Sequence, residues 1–307
     1  MNKIWINPTT NQLRGIWKII IFLLAFLAIL SALNIMILLP IYLLAGIRTP
    51  DEVTARFGSY WPMAFNWCMF LVALLIASWG ATRWLDHRPF KTIGFELHKG
   101  WWKELLLGLL AGMVILAVVV LLLRLTGRLS FSTQPLSFSG TLRALVSSLF
   151  LFLIAAAAEE VMLRGFPFQA LMRDHGPLLA LIFTSIIFGL GHIWNPNVSA
   201  LAIVNTVLAG VWLGISYLNT GNLWFPIAMH CGWNFAMDSI FGLEVSGLDL
   251  GPSILREIDK GPQWLTGMNY GPEAGIGATA ILIAASILLW RTRWPSGTRR
   301  EAEASKQ

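Results

Sequence analysis

Long apolar runs separated by short polar, glycine-bearing or proline-bearing clusters set the pattern of this chain. Eight of them read as helices: Ile16–Ala45, Tyr60–Trp84, Lys103–Leu125, Leu142–Leu163, Leu178–Trp194, Val198–Leu218, Leu223–Leu243 and Ala274–Trp290. Most approach or exceed the ~20 residues that cross a hydrocarbon core. The expected fold is therefore all-α, a polytopic membrane helical bundle of about eight transmembrane helices. The first run follows Lys3, Arg14 and Lys18 as a signal peptide would, yet it far exceeds an h-region of about 7–15 residues and is read as a retained helix. Trp17, Trp61, Trp84, Trp101, Trp102, Trp224 and Trp290 lie near run ends, where indoles anchor at the membrane interface.

Composition agrees: 56% of the 307 residues are hydrophobic and 12% charged, about half the charged fraction of a soluble domain. Roughly 15 Lys and Arg fall on one side of an eight-span arrangement and roughly 7 on the other, which predicts both termini in the cytoplasm. That asymmetry accounts for the pI near 9.6 and leaves no reason to expect a nucleic-acid partner. The tail Arg291–Gln307 reads as a solvated end facing lipid headgroups. Cys68 and Cys231 both fall inside spans and read as packing residues; Cys231 neighbours His230, but successive helical residues point about 100° apart.

Against this background Glu159 and Glu160 stand out, because they end an uncharged run from Leu145 to Ala158. A carboxylate at hydrocarbon depth costs at least ~2.5–3.5 kcal/mol on insertion scales, so the pair marks a candidate functional site. Glu160 and Arg164 are i and i+4 with the acid first, the favourable order for an ion pair. One carboxylate is then fixed by the cation while Glu159 can serve as a proton acceptor. An interfacial charge cluster is the plain alternative.

Two further motifs follow, Phe188-Gly-Leu-Gly-His192 and His230-Cys-Gly-Trp-Asn234. In each, i and i+4 share a helix face, so Phe188 lies beside His192 and His230 beside Asn234. Glu and His can share a water and its proton, and His and Asn are donors suited to an oxyanion hole. Each histidine could equally be a hydrogen-bonded core residue. Gly189, Gly191 and Gly232 read as sites of close helix approach. Glu159 and His192 are nearly equidistant from the polar turn Asp174-His175-Gly176, so an antiparallel hairpin would bring them to one level, with the Gly165–Arg173 stretch projecting into the cytoplasm and His175 on the surface.

The order Glu-Glu-x-x-x-Arg, Phe-x-x-x-His, His-x-x-x-Asn on successive helices resembles the CPBP family of intramembrane glutamic endopeptidases, which includes type II CAAX prenyl proteases and bacteriocin-immunity relatives. The resemblance spans Leu142 to Asp238. It implies that Glu159 activates water, that His192 is its partner, that His230 and Asn234 stabilise the oxyanion, and that Glu160 and Arg164 support them. On this reading residues 1–135 carry accessory helices and 136–243 the catalytic core, while 244–307 comprise an extracytoplasmic loop, the last helix and a basic tail.

The function expected is metal-free hydrolysis of a membrane-associated peptide or protein segment, with no cofactor. A zinc protease is the nearest rival, since two His and a Glu form a known ligand set, but His-Glu-x-x-His is absent and the last motif offers one imidazole. No Gly-x-Ser-x-Gly supports a serine hydrolase. A proton-coupled transporter would favour repeats or broken helix pairs, which are missing from the sequence. A non-catalytic immunity or scaffold protein on the same fold stays open. The substrate and its prenylation are not written in these residues, and a bacterial plasma membrane is the expected location.

Overall fold

The computed structural model describes residues 2–7, 12–58 and 60–292. The protein is an all-α polytopic membrane protein. Its principal helices are α1 (Gly15–Leu33), α2 (Leu39–Ala45), α3 (Pro50–Phe57), α4 (Tyr60–Gly80), α5 (Trp101–Leu125), α6 (Phe138–Arg164), α7 (Phe166–His175), α8 (Pro177–Leu190), α9 (Ala200–Thr220), α10 (Trp224–Phe235) and α11 (Ile276–Thr292). π-Helical stretches join α1 to α2 and extend α4 and α10. Two short strands, β1 (Leu129–Thr133) and β2 (Leu255–Asp259), pair antiparallel with Leu129 opposite Asp259. Residues 293–307, most of the expected basic tail, lie outside the described residues.

All eight apolar runs are helical, but they differ in length. Gly15–Ala45, Tyr60–Leu85, Trp101–Leu125, Phe138–His175 and Ala200–Thr220 are long and apolar enough to cross a membrane. Helices α8, α10 and α11 are shorter. Helix α8 stops at Leu190 although the apolar run continues to Trp194, because the chain enters a turn at Gly191 that leads to Pro196. Its side chains are arranged inside out relative to a water-soluble helix. Ile182, Phe183, Ile186 and Ile187 are exposed, whereas Thr184 and Ser185 are buried and hydrogen bond back to the carbonyl of Leu181. A lipid solvent favours this pattern, since apolar groups lose nothing by facing outward and hydroxyls find partners inside.

By contacts the chain forms two compact units, Met1–Phe95 with Ile154–Ala180, and Glu96–Leu153 with Leu181–Gln307. This division interleaves along the chain and is a different partition from the three functional segments expected from the sequence.

In the first unit α7 is docked against α1. The carbonyl of Ala170 leaves no room for a Cβ at Gly15, and Phe22 meets Phe166 with ring centroids 5.5 Å apart. Asp174 accepts hydrogen bonds from the Gly15 N–H (2.5 Å) and Asn7 Nδ2 (3.0 Å), placing a carboxylate at the N-terminus of α1, where the helix dipole favours an anion. The Gly165–Arg173 stretch, expected to project into the cytoplasm, is thus packed against α1. Phe166, Pro167, Phe168, Ala170 and Leu171 are buried instead. The chain leaves helical geometry at Gly165 (ψ −126°) and restarts with Pro167 in the first turn of α7, so a uniform helical rise does not run through this stretch. His175 is exposed, as expected.

Asp86 secures the same corner. It binds Lys18 Nζ at 2.7 Å and Arg173, with the Lys18 and Asp86 side chains 5% and 3% exposed. Removing one member of such a buried pair strands the other charge, at about 3–5 kcal/mol. Asp86→Ala should accordingly lower the melting temperature sharply in detergent, and adding Lys18→Met should recover most of the loss. Equal melting of the single and double variants would show that the Lys18 charge was not the cause.

In the second unit α5 and α10 touch backbone to backbone. A Cβ at Gly108 would lie 2.4 Å from the Phe225 carbonyl oxygen, one at Gly112 2.0 Å from that of Met229, and one at Gly232 2.1 Å from that of Leu109. The Gly108-x-x-x-Gly112 pair thus forms one side of a small-residue seam with Gly232 on the other. Gly112→Ala forces the two backbones apart. Overpacking of this kind costs about 1–3 kcal/mol, so thermal unfolding should occur at lower temperature, and an unchanged midpoint would mean that the seam opens without penalty.

Candidate active site

Helix α6 carries Glu159, Glu160 and Arg164 into the first unit. The Ala155–Ala158 run, of the strongest helix former, keeps the helix regular up to the charged turn. Glu160 and Arg164 are fully buried, and Arg164 Nη1 donates to Glu160 Oε1 at 2.9 Å. Arg164 is the last residue of α6, so its cation also lies at the negative end of the helix dipole. Gly165 closes the turn tightly: a Cβ there would stand 2.4 Å from the Val161 carbonyl oxygen. Glu159 is half-buried, one residue and about 100° round the helix from Glu160.

The second unit brings Phe188, His192 and His230 together. Ring centroids of Phe188 and His192 are 5.0 Å apart and those of Phe188 and His230 5.8 Å, both edge-on. His192 lies in the turn after α8, its N–H bonded to the Gly189 carbonyl and its Nδ1 2.8 Å from the Phe188 carbonyl oxygen. A carbonyl can only accept, so Nδ1 carries the proton and the neutral ring presents Nε2 as a lone pair. His230 is buried in α10, and Asn234 is half-buried one turn later on the same helix.

Of the three glycines flagged in these motifs, two lie at close contacts. Gly189 sits against Val207 and the Ile203 carbonyl of α9, and Gly232 against Leu109. Gly191 is exposed and meets nothing beyond its own turn, because α8 has already ended there. Cys231 is buried with Sγ 4.0 Å from the Leu149 carbonyl oxygen, a packing position. Among the described residues, no three His, Cys, Asp or Glu side chains gather in a metal-binding group.

Two features escaped the sequence reading. The Gly108-x-x-x-Gly112 seam was detectable as small residues four apart in an apolar helix. The other is Glu273, whose Oε1 accepts the Trp233 indole N–H at 2.9 Å. It lies in a Gly- and Pro-rich loop where no motif draws notice.

Residues 141–236 match the family model described as type II CAAX prenyl endopeptidase Rce1-like. The chain is also 31% identical over 225 residues to the uncharacterized protein YyaK of Bacillus subtilis (strain 168), a match covering 69% of this chain and 70% of the relative. This chain belongs to the Rce1-like CPBP family. No solved structure matches it. All seven residues singled out above, from Glu159 to Asn234, fall within the segment matched by the Rce1-like model, and the likeness to YyaK extends well beyond it. Membership of the Rce1-like family makes this a CAAX-protease-type membrane protein.

Proposed function

We propose that the protein is an intramembrane endopeptidase of a bacterial plasma membrane, hydrolysing a segment of a membrane-associated peptide or protein with water activated by Glu159 and without a metal. The observation that carries this reading is the fully buried Glu160–Arg164 pair beside the half-buried Glu159. A desolvated ion pair in this position contributes little net stability, yet it supplies a fixed cation and holds the charged turn in one geometry. In the proposed reaction the Glu159 carboxylate takes a proton from water as the water oxygen bonds to the scissile carbonyl carbon. His192 Nε2 accepts from the same water and orients it. The carbonyl oxygen becomes an oxyanion that receives hydrogen bonds from His230 and from Asn234 Nδ2. Collapse breaks the C–N bond, the proton held by Glu159 passes to the departing nitrogen, and the products are an amine and a carboxylic acid, which gives up its proton to solvent.

The test is incubation of purified protein in detergent with a farnesylated peptide ending in Cys, two aliphatic residues and a final residue, beside its unmodified counterpart, with products read by mass spectrometry. A single new cleavage near the C-terminus of the lipidated peptide supports the family's substrate class. Cleavage of both peptides alike supports hydrolysis without lipid recognition, and cleavage of neither points to a non-catalytic role. Activity should also survive prolonged washing with a strong chelator, because a carboxylate–imidazole pair has nothing to lose to it. Loss on washing, with recovery on adding zinc, would replace the metal-free mechanism by a zinc one.

A further inference from the structure

We propose that Glu273 is a positioning residue that holds the His192 turn and the His230–Asn234 helix in register through one carboxylate. The inference rests on the reading of those residues as catalytic, but the contacts that carry it lie largely outside the segment matched by the family model. Oε1 of Glu273 accepts the indole N–H of Trp233, which stands between His230 and Asn234 in the third motif (2.9 Å). Oε2 accepts both the backbone N–H of Ser246 (3.0 Å) and its hydroxyl (2.7 Å). The carbonyl of Ser246 in turn accepts from Asn195 Nδ2 (3.0 Å), and the Asn195 N–H is bonded to the carbonyl of His192 itself. One carboxylate thus reaches both histidine segments, directly through Trp233 and through a single serine.

The loop around this hub is fitted to it. Ser246 adopts a left-handed backbone (φ 50°), a conformation that costs a non-glycine residue of order 1 kcal/mol and persists where its surroundings impose it. The neighbouring Gly247 (φ 86°) lies so close to the His192 turn that a Cβ would stand 2.1 Å from the Pro196 carbonyl oxygen. From behind, Asn205 Nδ2 binds the carbonyls of Glu273 (2.7 Å) and Gly275 (2.9 Å), while Thr279 donates to Asn205 Oδ1 (2.6 Å). Glu273 is therefore anchored to α9 and α11 and can pass that rigidity on. The glycine seam with α5 holds one side of α10 and the Trp233 bond holds another, which together set the rotation of the helix about its axis. Side chains reach about 5–6 Å from a helix axis, so a rotation of only ~10° moves their tips by about 1 Å. A displacement of that size at a reacting centre can cost about 10²-fold in rate.

Three donors converge on two oxygens, and an amide cannot replace the carboxylate, because its NH2 would face a donor on one side or the other. Glu273→Gln and Trp233→Phe, the latter keeping an aromatic ring against Trp212, test the clamp. Hydrogen–deuterium exchange of the detergent-solubilised proteins should show faster exchange in both 191–197 and 229–235 for Glu273→Gln. With the farnesylated peptide, kcat should fall about 10- to 100-fold with KM within about twofold, and the double variant should be no slower than the slower single one. Exchange changes confined to 244–247 and 271–275, or kcat within about twofold of wild type, would overturn the clamp. If Glu273→Gln does not fold, Trp233→Phe decides by the same two readouts. Asn234→Ala separates the two failures. Its loss of activity beside a fully active Glu273→Gln refutes the clamp alone. Unchanged cleavage by Asn234→Ala, or no cleavage by wild type, goes against the catalytic reading and leaves the clamp to be decided by exchange.

Discussion

Glu159→Gln should lower turnover by ~10² or more while the protein still inserts, folds and melts like wild type. The amide keeps the size and planarity of the carboxyl group and removes its ability to take a proton. Glu159 is half-buried and its attraction to the Arg164 guanidinium ranks after that of Glu160, so the buried Glu160–Arg164 pair that carries most of the ionic framework survives the change. Glu160→Gln should behave differently. It leaves the fully buried Arg164 guanidinium without its carboxylate, and breaking such a pair costs about 3–5 kcal/mol, so yield and melting temperature should fall together with activity. The comparison is made on size-exclusion-purified protein by thermal melt and peptide cleavage. Normal turnover by folded Glu159→Gln would remove it as the base. Equal loss of stability in both variants would mean that the two carboxylates share one structural role.

The pairing of Glu160 with Arg164 was legible in the sequence, because i, i+4 spacing with the acid first already assigns one to the other. So was the burial of Cys231 in an apolar helix, whereas the Phe188–His192 contact expected from i, i+4 spacing is made with His192 already in the turn beyond the helix end. The end of α8 was less accessible. Hydropathy carries the run to Trp194, but His192 needs the Phe188 carbonyl as a partner for Nδ1, and the turn provides it. Docking of α7 on α1 was likewise hidden, since it depends on Asp174 meeting the Gly15 N–H across 159 residues of chain. Local pattern carries no information about a pairing of that separation. The Ser246–Glu273 hub is the extreme case: six side-chain and backbone groups from four segments converge, and Asn195, Ser246 and Glu273 each read alone as ordinary loop.

Asn234→Ala should lower kcat by about 10²–10³ with little change in KM, the cost of about 2.7–4 kcal/mol typical for one lost oxyanion donor. His230 and Asn234 occupy one face of α10 one turn apart, so both can address a single oxygen; His230 is buried against Phe188, whereas Asn234 is half-buried. An oxyanion forms only as the water adds, and a donor aimed at it is therefore felt in the transition state more than in the bound substrate. The substitution also leaves a small void, which can lower stability without touching chemistry. Thermal melting measured alongside kinetics separates the two effects, since a void shifts the midpoint and leaves kcat of the folded fraction intact. A well-folded variant with wild-type kcat and a raised KM would show that Asn234 holds the substrate carbonyl in the ground state, and the oxyanion role would then fall to His230 and a donor other than Asn234.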